Sequence, residues 1–391
     1  MKRCDGYLLR EIAGETYLIP YGQQVADFSR GLSLNETGML LWNALAEEQT
    51  EASLTDLLAA EYAEAGVTRE ELTADVNAFL SLVRSLGMLT EGRPTLTPVS
   101  PLWRTLNIAG ITMRLHGPAD AFDAGLDAFA VPDCAHPDLT VDVVLGDSSA
   151  RPTGRLILHN DTLSVLDCGE TLLLFFPTSQ RITRVRITRD GSAARLFLRG
   201  PVDDTFRYEL FHALRHVYLF LAQQRGIFAL HSVSILYQGK AWLFSGHSGM
   251  GKSTHTAMWH DIHHTPIING DLNLLRIDSE GMPVVHGLPW CGTSGISTFG
   301  SWPLGGIVLL GRDRVDHVVP LTPGARALQT MQRLVSPVWT ADMLDANLSF
   351  AARLTSLIPV YRLLCTKEPS AVAAIKAQID LGLAGKDDTD R

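Results

Sequence analysis

Two groups of residues in this 391-residue chain have the types and spacing that phosphate chemistry requires. "GHSGMGKST" (Gly246, His247, Ser248, Gly249, Met250, Gly251, Lys252, Ser253, Thr254) fits GxxxxGK[ST], with the apolar run "AWLFS" before it and a helical pattern after it. In that context successive backbone N–H groups at a helix N-terminus point at an anion, and glycines let the chain curl without a Cβ in the way. Lys252 would reach the β- and γ-phosphates of a nucleotide such as ATP, and Ser253 would give its hydroxyl to Mg²⁺. About twenty residues on, "IINGDLNLL" offers Asp271 after a neighbouring strand, where it would hold Mg²⁺ or take the proton of an attacking hydroxyl. A lone aspartate there is as often a turn residue, and the loop alone says only "nucleotide". Arg276 and Arg312 are further candidates for clamping phosphate.

The elements that must position these groups are legible in outline. From Trp103 to about Gly200 the pattern is strand-like: "RLILHN", "LSVLD", "TLLLFFP" and a hairpin "RITRVRITRDGSAARLFLRG" turning at Asp190-Gly191. Arg184 and Arg186 share one face of that hairpin, with Val185 and Ile187 opposite. A helix is expected from Asp204 to Arg225, closed by Gly226, then the strand "FALHSVSIL", the loop with its strand and helix, and "PIING". "GLPWCGTSG" (Gly287–Gly295) is either a turn that packs Trp290 or a closure over nucleotide or acceptor. His255, His260, His263 and His264 are badly spaced for one metal-binding helix face, so they are expected on a solvated surface.

The first segment is different in kind. "YLLREI" and "ETYLIP", joined by Ala13-Gly14, predict a hairpin. "LNETGMLLWNAL" predicts a helix capped by Asn35, with Leu34, Met39, Leu41, Trp42 and Leu45 inward. "SLTDLLAAEYA" is expected to be capped by Ser53, and "TREELTADVNAFLSLVRSLG" opens on the box Thr68/Glu71 and stops at Gly87. "TEGRPTLTPVSP" reads as a linker. The layout is therefore 1–92, a linker 93–102, a β-rich lobe 103–226, a P-loop domain 227–380 and a disordered tail 381–391, a mixture of α+β and α/β architecture.

Composition narrows the function classes. The chain is 46% hydrophobic and 19% charged, with no signal-peptide core and no apolar run long enough to span a bilayer, so a cytoplasmic protein without membrane partners is expected. The net charge of −9 disfavours nucleic acid. Five scattered cysteines without a CxxC pair read as reduced thiols.

On "ALHSVSIL", "GHSGMGKST", "INGDLNLL", "HGLPWCGTSGIS" and "WPLGGIVLL", the stretch from about Phe228 to Leu310 resembles the HPr serine kinase and phosphoenolpyruvate-carboxykinase-like group, in its HPr-kinase-like branch. That resemblance implies that Asp271 is the base for an incoming serine hydroxyl and that His231 lines the site. Relatives often carry two consecutive acids, whereas Leu272 stands in the second place here, so metal support is expected from Asp271 itself with Ser253, and whether base and metal roles are separate is left open. HPr kinases are oligomers, and the same is expected of this chain. On its hairpin, "LNETGMLLWNAL" and "VTREELTADVNAFLSLVRSLGML", the segment from about Gly6 to Thr90 resembles PqqD, which binds leader peptides of ribosomally made, modified peptides. A winged-helix DNA binder is the alternative on fold grounds, but between Glu47 and Asp75 nine carboxylates face only Arg69. The PqqD resemblance implies that a precursor's leader binds within residues 6–90 by β-augmentation, and the expected place is "TYLIP" with one face of Thr68–Leu86. Together the two resemblances imply an ATP- and Mg²⁺-dependent kinase for a Ser, or less readily Thr, hydroxyl of a precursor peptide. A kinase for a small hydroxylated metabolite and a nonenzymatic, nucleotide-switched peptide chaperone are the competing readings.

Overall fold

The computed structural model describes residues 1–3, 7–12, 14–20, 32–64, 66–85, 88–90, 96–146 and 154–387, which divide into two compact units, 1–95 and 96–391. In the first unit Lys2–Arg3 (β1) precedes the hairpin Tyr7–Ile12 (β2) and Glu15–Pro20 (β3). Ile12 lies opposite Glu15, so the chain reverses in two residues, and Gly14 takes a φ of +86° that a side chain would strain. Leu32–Leu34 (β4) completes a sheet of order β2-β3-β4. Three helices follow, Glu36–Ala44 (α1), Glu51–Glu61 (α2) and Arg69–Ser85 (α3), then Leu89–Thr90 (β5), which pairs with β1. Leu18, Leu41, Trp42, Leu45, Leu54, Leu58, Val76 and Leu80 pack as one core.

The capping follows the sequence with one correction. Asn35 accepts the Gly38 N–H, and Thr68 and Glu71 form their reciprocal pair. Helix α2, however, is capped by Thr50 rather than Ser53; Ser53 is the third helical residue and returns a hydrogen bond to the Thr50 N–H. Ala13, Leu86 and Gly87 lie outside the described residues. A second correction concerns the expected leader edge. "TYLIP" is the middle strand: Thr16, Tyr17 and Leu18 pair with β4 on one side while the whole of β3 pairs with β2 on the other. Its ladder groups are taken, and the free edges among the described residues are the outer sides of β2 and β4.

In the second unit, Leu102–Ile108 (β6), Ile111–His116 (β7), Ala130–Val131 (β8), Leu139–Leu145 (β9), Arg155–His159 (β10), Ser164–Asp167 (β11), Thr171–Phe175 (β12), Ile182–Thr188 (β13) and Ala193–Leu198 (β14) build one sheet. Its order is β10-β11-β12-β13-β14-β9-β7-β6-β8. Val185 and Ile187 are fully buried, whereas Arg186 on the opposite face is exposed. The stretch expected to end as a linker is bound from Leu96 onward: the Val99 and Ser100 N–H groups donate to the buried Asp142 carboxylate, which also takes Arg195 Nε.

Helix α4 (Asp204–Gln224) lies under this sheet and ends at Arg225, with Gly226 at φ +72°. After it come Phe228–Tyr237 (β15), Lys240–Ser245 (β16), helix α5 (Lys252–His263), Ile267–Asn269 (β17), Leu272–Ile277 (β18), Pro283–His286 (β19) and Ser301–Arg312 (β20). His317–Val319 (β21), helices α6 (Pro323–Met331) and α7 (Ala341–Leu357), Val360–Cys365 (β22) and helix α8 (Ser370–Asp387) close the chain. Helix α8 runs through the expected disordered tail as far as Asp387; residues 388–391 lie outside the described residues. A single apolar core spans residue 227: Leu210, Leu214 and Phe220 of α4 share it with Leu272, Leu274, Leu288 and Trp290.

The site is placed by the neighbours of β15. On one side Phe228 to His231 pair with β18 and Ser234 and Ile235 with β17, with Asp271 between; on the other Ser232 to Tyr237 pair with β16. Where that second ladder ends, the His231 N–H donates to the Arg333 carbonyl and the Ala229 carbonyl accepts from the Val335 N–H, so the segment around Arg333 lies alongside β15 just beyond the end of β16, from which the glycine-rich loop starts.

Candidate functional site

Gly246 continues β16 and is buried, and His247, Ser248 and Gly249 are exposed at the crest of the loop. Gly251 caps α5 in the left-handed region at φ +96°, and a Cβ there or at Gly249 would meet nothing within 4 Å. The loop therefore presents open space on its ligand side, with Lys252, Ser253 and Thr254 as the first residues of the helix and Met250 packed beneath, its side chain in contact range of Gly246. Lys252 is buried, and its Nζ donates to the Gly246 carbonyl at 3.2 Å. Burial pushes the Lys252 ammonium below its ordinary pKa; the Asp271 charge opposes this and Arg333 adds to it.

Asp271 occupies the short step between β17 and β18, and its carbonyl accepts from the Ser232 N–H. Asn269 and Asn273 brace it on either side. Asn269 Nδ2 donates to Asn273 Oδ1, Asn273 Nδ2 donates to the Ser232 carbonyl, and the Thr298 N–H donates to Asn269 Oδ1. All of these side-chain amides are buried, and a satisfied network of this kind fixes the backbone. His231 Nε2–H donates to Asp271 Oδ1 at 3.1 Å. That hydrogen bond holds the Asp271 carboxyl below the usual carboxylate range against partial burial, with the charges of His231, Lys252 and Arg215 helping. Asp271 thus stands in hydrogen-bond contact with His231 and within electrostatic reach of Lys252.

Arg312, at the end of β20, donates to the Gly249 carbonyl, so it does reach the loop. Arg276 does not. It lies five residues along β18 from Asp271, about 16 Å away at the usual strand rise, beside Gly110 and close enough to Tyr218 and His286 to act on their protons. The candidate that sequence missed is Arg333, just after α6, whose guanidinium contacts both ring nitrogens of His247 at 2.7 and 3.0 Å. Arg215 of α4 is also missing from the sequence reading; its charge acts on Asp271 from the β-rich side. Its signal was a single cation inside the apolar stretch "HALRHVYLFLAQQ".

The loop Gly287–Gly295 packs Trp290, as one of its two expected readings has it, and brings a glycine beside Asp271. Trp290 is buried, donates through Nε1 to the Phe211 carbonyl at 2.7 Å and packs on Tyr218. Two residues on, Gly292 at φ +61° lies so close to Asp271 that a Cβ would sit 2.9 Å from its Cγ and Oδ2. His255 corrects the expectation of a solvated histidine cluster: it is 3% exposed, accepts from Trp259 Nε1, and is pushed down to about 4 by burial. Leu272, the residue in place of a second acid, is a buried core side chain, so Asp271 is the carboxylate at this step. The two residues expected to hold a metal, Ser253 and Asp271, offer only oxygen, the donor type that Mg²⁺ takes.

Comparison with known proteins bears on both units. Residues 24–89 match the family described as coenzyme PQQ synthesis protein D (PqqD). The first unit thus carries a PqqD domain, attached to a mixed α/β unit with a glycine-rich loop. Among solved structures, TbiB1 in complex with the TbiA(beta) leader peptide matches at 24% identity, covering 24% of this chain and 98% of its own, with a TM-score of 0.20. The Hpr(Ser) kinase/phosphatase from Coxiella burnetii matches at 10% identity, covering 41% of this chain and 96% of its own, with a TM-score of 0.26. No curated protein matches the chain. No helix among the described residues is long and apolar enough to cross a membrane.

Proposed function

We propose that the protein is an ATP-dependent kinase that phosphorylates a Ser, or less readily a Thr, hydroxyl of a precursor peptide whose leader is held by the PqqD domain. The observation that carries this reading is that Lys252, first in the helix after the glycine-rich loop, lies within electrostatic reach of the His231-supported Asp271 carboxylate. Loop amides and Lys252 hold the β- and γ-phosphoryl groups of ATP, and Arg312 and Arg333 add positive charge at the crest. Asp271, kept ionised by His231, accepts the acceptor's hydroxyl proton while that oxygen attacks the γ-phosphorus in line and the bond to the β-phosphate oxygen breaks, releasing ADP. Ser253 and Asp271 would hold Mg²⁺, which when bound neutralises charge on the phosphates. The leader adds a strand to β2 or β4, the sheet's open edges.

The test is mass spectrometry of a leader-bearing peptide incubated with the protein, ATP and Mg²⁺. One added phosphate that disappears with Asp271→Asn supports the reading. An adenylate adduct, or binding of nucleotide and peptide without covalent product, overturns it.

A further inference from the structure

The cleft that reaches Asp271 at one end extends well beyond what phosphotransfer uses. It has a volume of about 850 Å³ and runs along α4, with Tyr208, His212, Arg215 and His216 on one wall and the segment from Phe176 to Ile182 on the other. These α4 residues recur at three- and four-residue intervals, so they share a helix face. The β-rich lobe supplies the opposite wall.

Electrostatics single out one residue. The Glu209 carboxylate is satisfied by the Ser179 hydroxyl and the backbone N–H groups of Gln180, Arg181 and Ile182. Asp204 pairs with Arg207, and Asp271 with His231. Burial, reinforced by the Arg215 charge, pushes both lining histidines down, His216 to about 4, so at neutral pH they are uncharged. Arg215 is then the one cation lining the cleft, and its guanidinium makes no hydrogen bond or ion pair among the described residues. A half-buried guanidinium that makes no hydrogen bond and has only the charge of Asp271 in reach is a cost that a further anion relieves, and its planar fork fits a carboxylate. The phosphate end has its own cations. Lys252 interacts with Asp271 and Arg333, whereas Arg215 interacts with Asp271 and Tyr208, so Asp271 divides the two.

We propose that this groove receives the acceptor segment of the peptide and that Arg215 binds a carboxylate carried next to the hydroxyl to be modified. The inference rests on the phosphotransfer reading and deepens it. Two sources supply that chemistry, an acidic side chain beside the hydroxyl residue or the peptide's own C-terminus.

The experiment uses the full chain and four fluorescein-labelled heptapeptides. Two have a central Ser followed by Asp or Asn with an amidated end; two end on Ser, as free acid or amide. Fluorescence anisotropy should show the carboxylate forms of one pair or both binding about ten-fold more tightly than their neutral counterparts, the scale of one charge-assisted bidentate contact. The pair that discriminates identifies the source. Arg215→Gln should abolish the ratio and Arg215→Lys should keep part of it, with fluorescent-ATP affinity unchanged in both. Equal binding of all four peptides, binding of none, or a ratio that survives in Arg215→Gln overturns the proposal. A ratio without phosphate transfer would count against the kinase reading alone, and transfer without a ratio against the groove alone. If Arg215 served only to orient Asp271, its loss would lower kcat and leave peptide discrimination intact.

Discussion

In the proposed reaction Asp271 is the base, and its charge state follows from three neighbours, His231, Lys252 and Arg215. The hydrogen bond from His231 is the largest influence holding its pKa down, so the base stays ionised through the neutral range and loses activity only as pH falls through the lowered value. Removing that donor in His231→Ala raises the Asp271 pKa, so the acidic limb of the kcat/KM profile should move to higher pH; an unmoved limb would show that His231 does not tune the base. Asp271→Asn should lower kcat by about 10²- to 10⁴-fold, measured by phosphate transfer, and weaken binding of the Mg²⁺ complex of ATP, measured by titration. Lys252 and Asp271 can be named from sequence because the GxxxxGK[ST] spacing and an acid after an apolar strand are local patterns, whereas His231 is named only through the family resemblance. Arg333 and Arg215 were hidden because they reach the site from a turn after α6 and from the middle of α4, and only tertiary folding relates those places to the loop. Arg276 misled for the converse reason: it is close to Asp271 in sequence, but an extended strand carries it away.

The element that presses on Asp271 is the loop Gly287–Gly295, and three of its glycines separate strain from contact. Gly295→Ala meets no neighbour and bears only the left-handed backbone cost, about 1–2 kcal/mol, visible as a modest fall in Tm. Gly292→Ala adds a methyl 2.9 Å from the carboxylate, so kcat should drop well beyond what its Tm change explains. Gly287→Ala would put a Cβ 1.6 Å from the Thr298 carbonyl, and the loop should lose its fold altogether. In the PqqD domain, hydrogen exchange tests where the leader lies: amides of β2 or β4 should slow on leader addition, whereas those of β3, already paired on both sides, should not. The hairpin and three helices were legible because turn, caps and apolar stripes all agree. The strand order was not, because alternation tells which face is buried but not which edge is left open.

For the molecule as a whole, tethering would give the PqqD domain a purpose under the proposed kinase reading. Covalent linkage raises the acceptor's effective concentration, so deleting residues 1–95 should raise KM for a leader-bearing peptide by about 10²-fold or more while leaving its kcat near the original. Undiminished turnover at low peptide concentration would favour a metabolite kinase instead. Within residues 96–391 the motif-bearing half had looked separable at residue 227, since the motifs begin there and composition gives no sign of what lies beneath. The shared core of α4 with Leu272, Leu288 and Trp290 has a practical corollary for anyone wishing to transplant this catalyst. A gene fragment cut at residue 227 would keep every recognisable signature yet strip the indole of its Phe211 acceptor and expose a broad oily face, so it should emerge as inclusion bodies. A fragment that keeps this core intact starts at Leu96, β-rich lobe included.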